Sequence, residues 1–181
     1  MPATQPKPSD EADRQQLEMA RQEGEAYHHS LLYMAEEVAD VGGLKEAGDY
    51  LVAFAQERAE GMYHLRGEGE LAWVEPEDEN CHLEVSVSDA ADQRFIPYLD
   101  IEANLTTADG TRLGPYKLEF LWHPGLFHYG RNIKIPGDGR YDLKVKIAPP
   151  GFMRHDKANG RRYADTVEVE FPGIHLKAGK E

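Results

Sequence analysis

Apolar residues in the first third of the chain recur at three- and four-residue steps, which is typical of amphipathic helices. The first set is Leu17, Ala20, Gly24, Tyr27, Leu31, Met34 and Val38. Gly42-Gly43 is a stop signal, after which the spacing resumes up to about Glu60. The second set is Leu44, Ala47, Leu51, Phe54 and Ala55. The pattern predicts an α-helical hairpin over residues 11–66, and the polar, proline-spaced residues 1–10 predict a disordered lead-in.

From Glu70 onward the period of the pattern changes to two. Residues 81–87 alternate cleanly, with His82, Glu84 and Ser86 on the face opposite the apolar residues. Further strands are predicted at residues 70–74, 98–106, 116–122, 131–135, 141–147 and 166–171. About seven short strands separated by turn signals favour an antiparallel β-sandwich of immunoglobulin-like type. We therefore predict a mainly β protein whose sandwich spans residues 67–175.

Composition narrows the function classes. The formal net charge of −13 repels nucleic acid and anionic membranes, and favours small cations or basic protein surfaces as partners. The single cysteine, Cys81, excludes an internal disulfide and thiolate-cluster zinc sites. No apolar run approaches the ~20 residues of a membrane-spanning helix, so direct membrane insertion is not expected. The residues after the start show no signal-peptide pattern. Either the protein is cytoplasmic, or the chain given lacks its leader.

His82 and Glu84 are the first candidate metal ligands. Two residues apart on one strand, their Cβ atoms lie about 6.5–7 Å apart on the same face. An imidazole and a carboxylate so placed can close on one divalent cation at roughly 2.0–2.2 Å from each donor atom. The alternative is a solvated strand face.

Other histidines lie in loops or on the first helix. His128 follows an aromatic-rich stretch and His155 lies in a long loop; each is either a functional loop residue or a structural one. Glu25 and His28 have the i, i+3 spacing of helix-bundle metal sites, although the second predicted helix offers no histidine partner. Sequence motifs of nucleophilic, phosphate-binding or zinc-protease enzymes are absent, which favours binding over catalysis.

An ordered set of short motifs resembles the bacterial Fe²⁺ transport protein family over about residues 70–172. The motifs are His82-Leu83-Glu84, Ile96-Pro97-Tyr98-Leu99, His128-Tyr129-Gly130, Asn132-Ile133-Lys134, Pro149-Pro150, His155 and Gly160-Arg161. The resemblance implies a periplasmic iron-binding protein that also binds copper, forms a homodimer and works beside a membrane iron permease. It also implies a metal site of histidines, a glutamate and a methionine. By position, the ligands are His82, Glu84, His128 and His155.

The methionine that the resemblance implies before His128 has no counterpart, because the stretch Leu121-Trp122-His123-Pro124-Gly125-Leu126-Phe127 contains no methionine. His123 or Met153 is the candidate replacement, and an imidazole in place of the thioether would weaken selectivity for Cu(I). We predict a protein that binds iron or copper for metal uptake or homeostasis. The alternatives are an interaction module that recruits a protein partner through the helical hairpin, and a small redox enzyme acting on the bound metal.

Overall fold

The computed structural model describes residues 4–181. Within them, α1 (Arg14–Tyr33) continues as a π-helical turn (Met34–Val38), and ten β-strands follow. The strands are β1 (Val41–Ala47), β2 (Tyr50–Glu57), β3 (Met62–Gly67), β4 (Glu70–Val74), β5 (Cys81–Asp89), β6 (Ile101–Thr107), β7 (Arg112–Trp122), β8 (Phe127–Ile133), β9 (Gly139–Ile147) and β10 (Val167–Leu176). None of the helices in residues 4–181 is both long and apolar enough to cross a membrane.

The first predicted helix is present and has a defined start. Asp13 accepts a hydrogen bond from the backbone N–H of Gln16, while the Gln16 side chain accepts one from the Asp13 backbone, which forms a capping box. Residues 4–10 of the predicted disordered lead-in have no regular secondary structure, but they contact the β domain. Ser9 Oγ donates to Asp156 Oδ2 at 2.8 Å, for example. Residues 1–3 of the lead-in lie outside the described residues.

The prediction of a second helix is wrong, because residues 41–57 form the β1–β2 hairpin. The two strands pair in antiparallel register from Ala47 opposite Tyr50 outward, and Gly48 turns the chain at a φ of +60°. Residues 50–55 form a continuous apolar run, which contains the three- and four-residue spacing of a helix among other spacings. In the structure this run is part of a strand that is buried on both faces. β2 also pairs with β5 in the main sheet, so that sheet includes strands from both sides of the predicted domain boundary at residues 66 and 67.

Eight strands form one antiparallel sheet in the order β1-β2-β5-β8-β7-β6-β9-β10. The sheet nearly closes on itself: the side chain of Gln56 on β2 accepts from the backbone N–H of Lys177 at 3.0 Å and donates to its carbonyl at 3.1 Å, just beyond β10. The prediction of a mainly β, antiparallel protein is confirmed. The immunoglobulin-like sandwich stays a prediction. β3 and β4 form a separate two-stranded sheet.

All nine residues of β5 are buried because both of its faces are covered. Leu83, Val85 and Val87 face the main hydrophobic core inside the curled sheet. The opposite, outer face lies under α1 and the π-helical turn, where Leu31 and Met34 pack with Ala53 of β2 and Leu126 in a second apolar cluster. His82 and Glu84 are on this outer face, so the fold buries two polar side chains beneath the N-terminal helix.

Candidate metal centre

His82, Glu84 and His128 converge on the outer face of the sheet. Each offers one ligand atom, and these three atoms lie within 4.8 Å of one another. Glu84 Oε1 lies between the two rings, 3.4 Å from His82 Nε2 and 3.3 Å from His128 Nε2. All three residues are buried, at 0%, 8% and 5% exposure respectively. The strand pairing explains the convergence, since β8 lies beside β5 in the sheet.

A second ring of polar groups orients His82. Its Nδ1 lies 2.9 Å from Asn132 Oδ1, and the Asn132 side-chain amide donates to the Glu60 carbonyl at 2.7 Å. Because an amide oxygen only accepts, His82 carries its proton on Nδ1 and turns Nε2 toward Glu84. Glu60 Oε1 lies 3.7 Å from that Nε2 on the more exposed side. Histidine ligands of metals commonly donate their other ring N–H in this way.

Gly130 leaves the space in front of the cluster open. It pairs with Glu84 across the β5–β8 ladder. A Cβ atom at this position would meet Leu121 Cδ1 at 2.9 Å and His82 Nε2 at 3.2 Å. Any larger residue would therefore press on the nitrogen that faces the centre.

The three ligands shift one another's proton affinity. Burial alone raises the pKa of Glu84, but the adjacent His82 imidazole and the charge of His128 lower it below its usual value. Burial lowers the pKa of His82, but the adjacent Glu84 carboxylate and the charge of Glu60 raise it overall. Burial lowers the pKa of His128 and outweighs the opposing charge of Glu84. The cluster thus combines an ionised carboxylate with one imidazole that holds a proton readily and one that resists it.

Further acidic groups surround the three ligands. Burial, reinforced by the charges of Glu84 and Glu60, raises the pKa of Glu57 to about 7. Burial also raises the pKa of Glu60. Glu57 is opposite His82 in the β2–β5 ladder, so three carboxylates lie around one buried imidazole. This excess of acidic groups is an environment that a cation stabilises.

The donor set fits a transition-metal ion. His82 Nε2 and His128 Nδ1 are buried without a hydrogen-bond partner among the described residues, and burying an unpartnered polar atom costs folding free energy. A cation held by His82 Nε2 would remove that cost at one of them. Two imidazoles and a carboxylate are ligands that zinc, copper, iron and nickel accept.

The structure does not bring His155 into the cluster. Its Nδ1 lies 3.0 Å from Glu11 Oε2, and its side chain is 85% exposed. The predicted convergence of four ligands is therefore corrected to three within one chain. The loop that carries His155 folds back on the N-terminal segment, so sequence order alone did not show where it lies.

The two candidate replacements for the missing methionine differ in position. His123 borders the cluster, with its ring centroid 6.3 Å from that of His128, although its Nδ1 accepts a hydrogen bond from Gly125 at 3.0 Å. Met153 is 97% exposed and contributes nothing there. The helical alternative also fails to assemble, since Glu25 forms an ion pair with Arg21 and the ligand grouping found in residues 4–181 is the one on the sheet.

Two residues of the site were missed by the sequence reasoning. Asn132 could have been found, because His128, Gly130 and Asn132 are two apart and share a face of β8. Met34 could not, because its place beside the cluster depends on how α1 packs onto the sheet. It lines one small cavity together with Glu84 and His128.

The fold and the cluster define a class: a mainly β protein with a buried site suited to a transition metal. The model of the Fe2+ transport protein family matches residues 40–175, and the chain belongs to that family. The resemblance drawn from the sequence is confirmed. The match includes β1 and β2 and leaves α1 outside it.

The chain is also similar to individual proteins. UPF0423 proteins of Brucella abortus and Brucella suis are 28% identical to the chain over 158 residues, covering 78% of it and 80% of each relative. FetP of uropathogenic E. coli strain F11 matches in structure with a TM-score of 0.57 and 24% identity, covering 75% of this chain and 95% of that one. Copper-reconstituted P19 of Campylobacter jejuni matches with a TM-score of 0.63 and 19% identity, covering 77% and 96%. These structural matches support the fold.

Proposed function

We propose that this protein binds an iron or copper ion through His82, Glu84 and His128, and serves metal uptake or homeostasis as a binding protein rather than an enzyme. One observation carries the proposal: three ligand atoms lie within 4.8 Å of one another in a buried site. The imidazole nitrogen that faces the centre has no other partner. Such an arrangement is costly without a cation and favourable with one.

The choice of iron or copper has two supports. The family is described as Fe2+ transport proteins, and the P19 and FetP structures include copper-bound forms. Imidazole and carboxylate donors suit both metals. Among divalent ions, copper should bind more tightly than iron in vitro by the general affinity order, whichever the cell supplies.

A module that binds only a protein partner is less well supported. Such a module gains nothing from placing an ionised carboxylate and two histidines in a buried pocket, because desolvating them costs free energy. The helical hairpin that would have recruited the partner is also absent, since its second half is the β1–β2 hairpin.

We extend the proposal to the setting of the protein: an extracytoplasmic location, a homodimer of immunoglobulin-like sandwiches and a membrane iron permease as partner. Support comes from what the family resemblance implies, and from FetP having been recombinantly expressed in the periplasm of E. coli. Light scattering of the full chain tests the dimer, and a mass of one chain overturns that part.

Metal content tests the central claim. We expect untagged protein to carry close to one iron or copper ion per chain after equilibration with either metal and desalting. Glu84→Gln and His128→Ala should lose most of it, because each removes a donor atom from a three-ligand site. His155→Ala is the matched control, since it removes an imidazole that lies outside the cluster. Equal metal content in wild type and Glu84→Gln would overturn the proposal.

A further inference from the structure

A small cavity lies between the N-terminal helix and the candidate metal centre. Its volume is ≈ 10 Å³, and its lining includes Met34, Glu84 and His128. A space of this size is close to that of a single water molecule. The thioether side chain of Met34 is 8% exposed and therefore lies in the interior beside two of the three ligands.

The helix is fixed over the site by polar and apolar contacts. The hydroxyl of Tyr27 donates to the Phe127 carbonyl at 2.6 Å and lies 2.8 Å from Ser86 Oγ. Ser86 is two residues beyond Glu84 on the same face of β5. One to two helical turns further on, Leu31 and Met34 pack against Ala53 and Leu126. These contacts leave Met34 little freedom to move away from the cluster.

Small residues on β2 make room for this packing. Ala53 is opposite Ser86 and Ala55 is opposite Glu84 in the strand pairing, so short side chains flank the ligands where the helix passes. Gly42 on β1 approaches Ala35 closely, because a Cβ atom at Gly42 would lie 2.9 Å from the Ala35 carbonyl oxygen. The sheet surface is thus shaped to receive the segment that carries Met34.

The helix changes its geometry at Met34 itself. The π-helical turn begins there, and the backbone N–H of Ala39 donates to the Met34 carbonyl at 2.9 Å. π-helical turns widen the backbone and occur frequently at functional sites. This turn coincides with the residue that lines the cavity.

We propose that Met34 supplies its thioether sulfur to a metal held by His82, Glu84 and His128, and thereby biases the site toward Cu(I). This inference rests on the proposed function and adds to it a ligand and a selectivity. Thioether is a soft donor that favours Cu(I), whereas imidazole and carboxylate accept harder divalent ions. The sulfur comes from the N-terminal helix, outside the segment that the family model matches.

The substitution Met34→Leu tests the inference, because it removes the sulfur and keeps a similar volume. Met19→Leu is the matched control, since Met19 lies on the same helix but is 60% exposed. In competition with a chromophoric Cu(I) chelator, Met34→Leu should lose about tenfold or more in Cu(I) affinity. Its Ni²⁺ affinity should change by less than about threefold, and Met19→Leu should match wild type in both. Unchanged Cu(I) affinity in a folded Met34→Leu protein overturns the inference.

X-ray absorption at the copper edge gives a readout that needs no substitution. Protein grown with selenomethionine and loaded with Cu(I) should show a selenium neighbour of copper, and Met34→Leu grown in the same way should not. Cys81 cannot supply a sulfur neighbour of the copper, because its side chain lies in the inner core on the opposite face of β5. Absence of a selenium neighbour in the unsubstituted chain overturns the inference even if Met34→Leu does not fold.

The proposed function is judged separately by Ni²⁺ binding. If wild type binds Ni²⁺ and Glu84→Gln does not, the three-ligand site stands whatever the selenium measurement shows. If wild type binds neither Ni²⁺ nor Cu(I), the proposed function fails, and the role of Met34 fails with it.

Discussion

The side-chain oxygen of Asn132 lies 2.9 Å from Nδ1 of the buried His82 ring. This hydrogen bond fixes which ring nitrogen carries the proton, and it leaves Nε2 free to face Glu84. Asn132 is itself held by Glu60, whose carbonyl accepts from its side-chain amide at 2.7 Å. The orientation of one ligand therefore depends on a residue that does not touch the centre.

Replacing Asn132 by alanine should weaken metal binding about 10- to 100-fold, which is the usual effect of removing a partner that orients a histidine ligand. Isothermal titration with Ni²⁺ measures the change. Asn159→Ala is the control, because Asn159 also makes side-chain hydrogen bonds but makes them to Asp156 and Lys7. Wild-type affinity in Asn132→Ala would show that the ring needs no such support.

Metal affinity should fall as the pH drops from 7 to 5. The raised pKa of His82 means that a proton competes for its ring at a higher pH than for a free histidine. Because one proton is displaced from that ring, the affinity can fall by up to about tenfold per pH unit. Titrations with Ni²⁺ at several pH values measure the slope.

Glu84→Gln provides the comparison for this pH dependence. Glu84 is the main group that raises the pKa of His82, so its neutralisation should lower that pKa. Metal binding by the variant, weaker at every pH, should begin to decline at a lower pH than in wild type. A flat affinity between pH 7 and 5 in wild type would contradict histidine ligation.

Each element that was predicted correctly carries a recognisable pattern within its own stretch of sequence. The first helix has a capping box and an apolar stripe, and β5 alternates between core residues and polar residues. The prediction failed for the β1–β2 hairpin, because a strand buried on both faces shows no alternation of apolar and polar residues. Its only local marker was Gly48-Asp49 at the turn.

Strand geometry predicted only part of the candidate site. His82 and Glu84 share a face of β5 because they are two residues apart. His128 was expected in a loop and, like His155, was assigned as a ligand from the resemblance. The structure places His128 on β8 and His155 beside Glu11. Met34 was read only as part of a helical stripe, because neither spacing nor residue type shows which surface a helix will cover.

Gly130→Ala should reduce metal affinity about tenfold or more, because its Cβ would lie 3.2 Å from the ligand nitrogen of His82. The same atom would meet Leu121 Cδ1 at 2.9 Å, so we also expect a loss of about 1–3 kcal/mol in the free energy of unfolding. Ni²⁺ titration and thermal unfolding measure the two effects.

Two further variants separate the effect of Gly130→Ala on metal affinity from its effect on stability. Gly151→Ala is the control, because a Cβ atom there meets nothing within 4 Å. Adding Leu121→Ala to Gly130→Ala should relieve the clash with that leucine and recover stability without recovering metal affinity. If the double variant binds metal as wild type does, the clash with leucine alone was responsible.

Glu57→Gln should stabilise the metal-free protein at pH 8. Glu57 Oε1 is buried without a hydrogen-bond partner, and the pKa of Glu57 is raised to about 7. The folded state thus binds more protons than the unfolded state between about pH 4.5 and 7, so stability falls as pH rises through that window. Glutamine removes this titration, and we expect a gain of about 1 kcal/mol at pH 8 after allowing for partial exposure. Thermal unfolding from pH 5 to pH 8 measures it.

Bound metal should cancel the gain in stability of Glu57→Gln. This result would show that Glu57 acts through its proximity to the metal site and not through burial alone. A cation beside His82, the residue opposite Glu57 in the strand pairing, favours the ionised carboxylate. With saturating Ni²⁺, wild type should therefore match or exceed Glu57→Gln in unfolding temperature at pH 8. Glu70→Gln, an exposed change on β4, should alter neither profile. If the stabilisation by Glu57→Gln persists unchanged with metal bound, the cation does not lie near β2, and the placement of the centre is wrong.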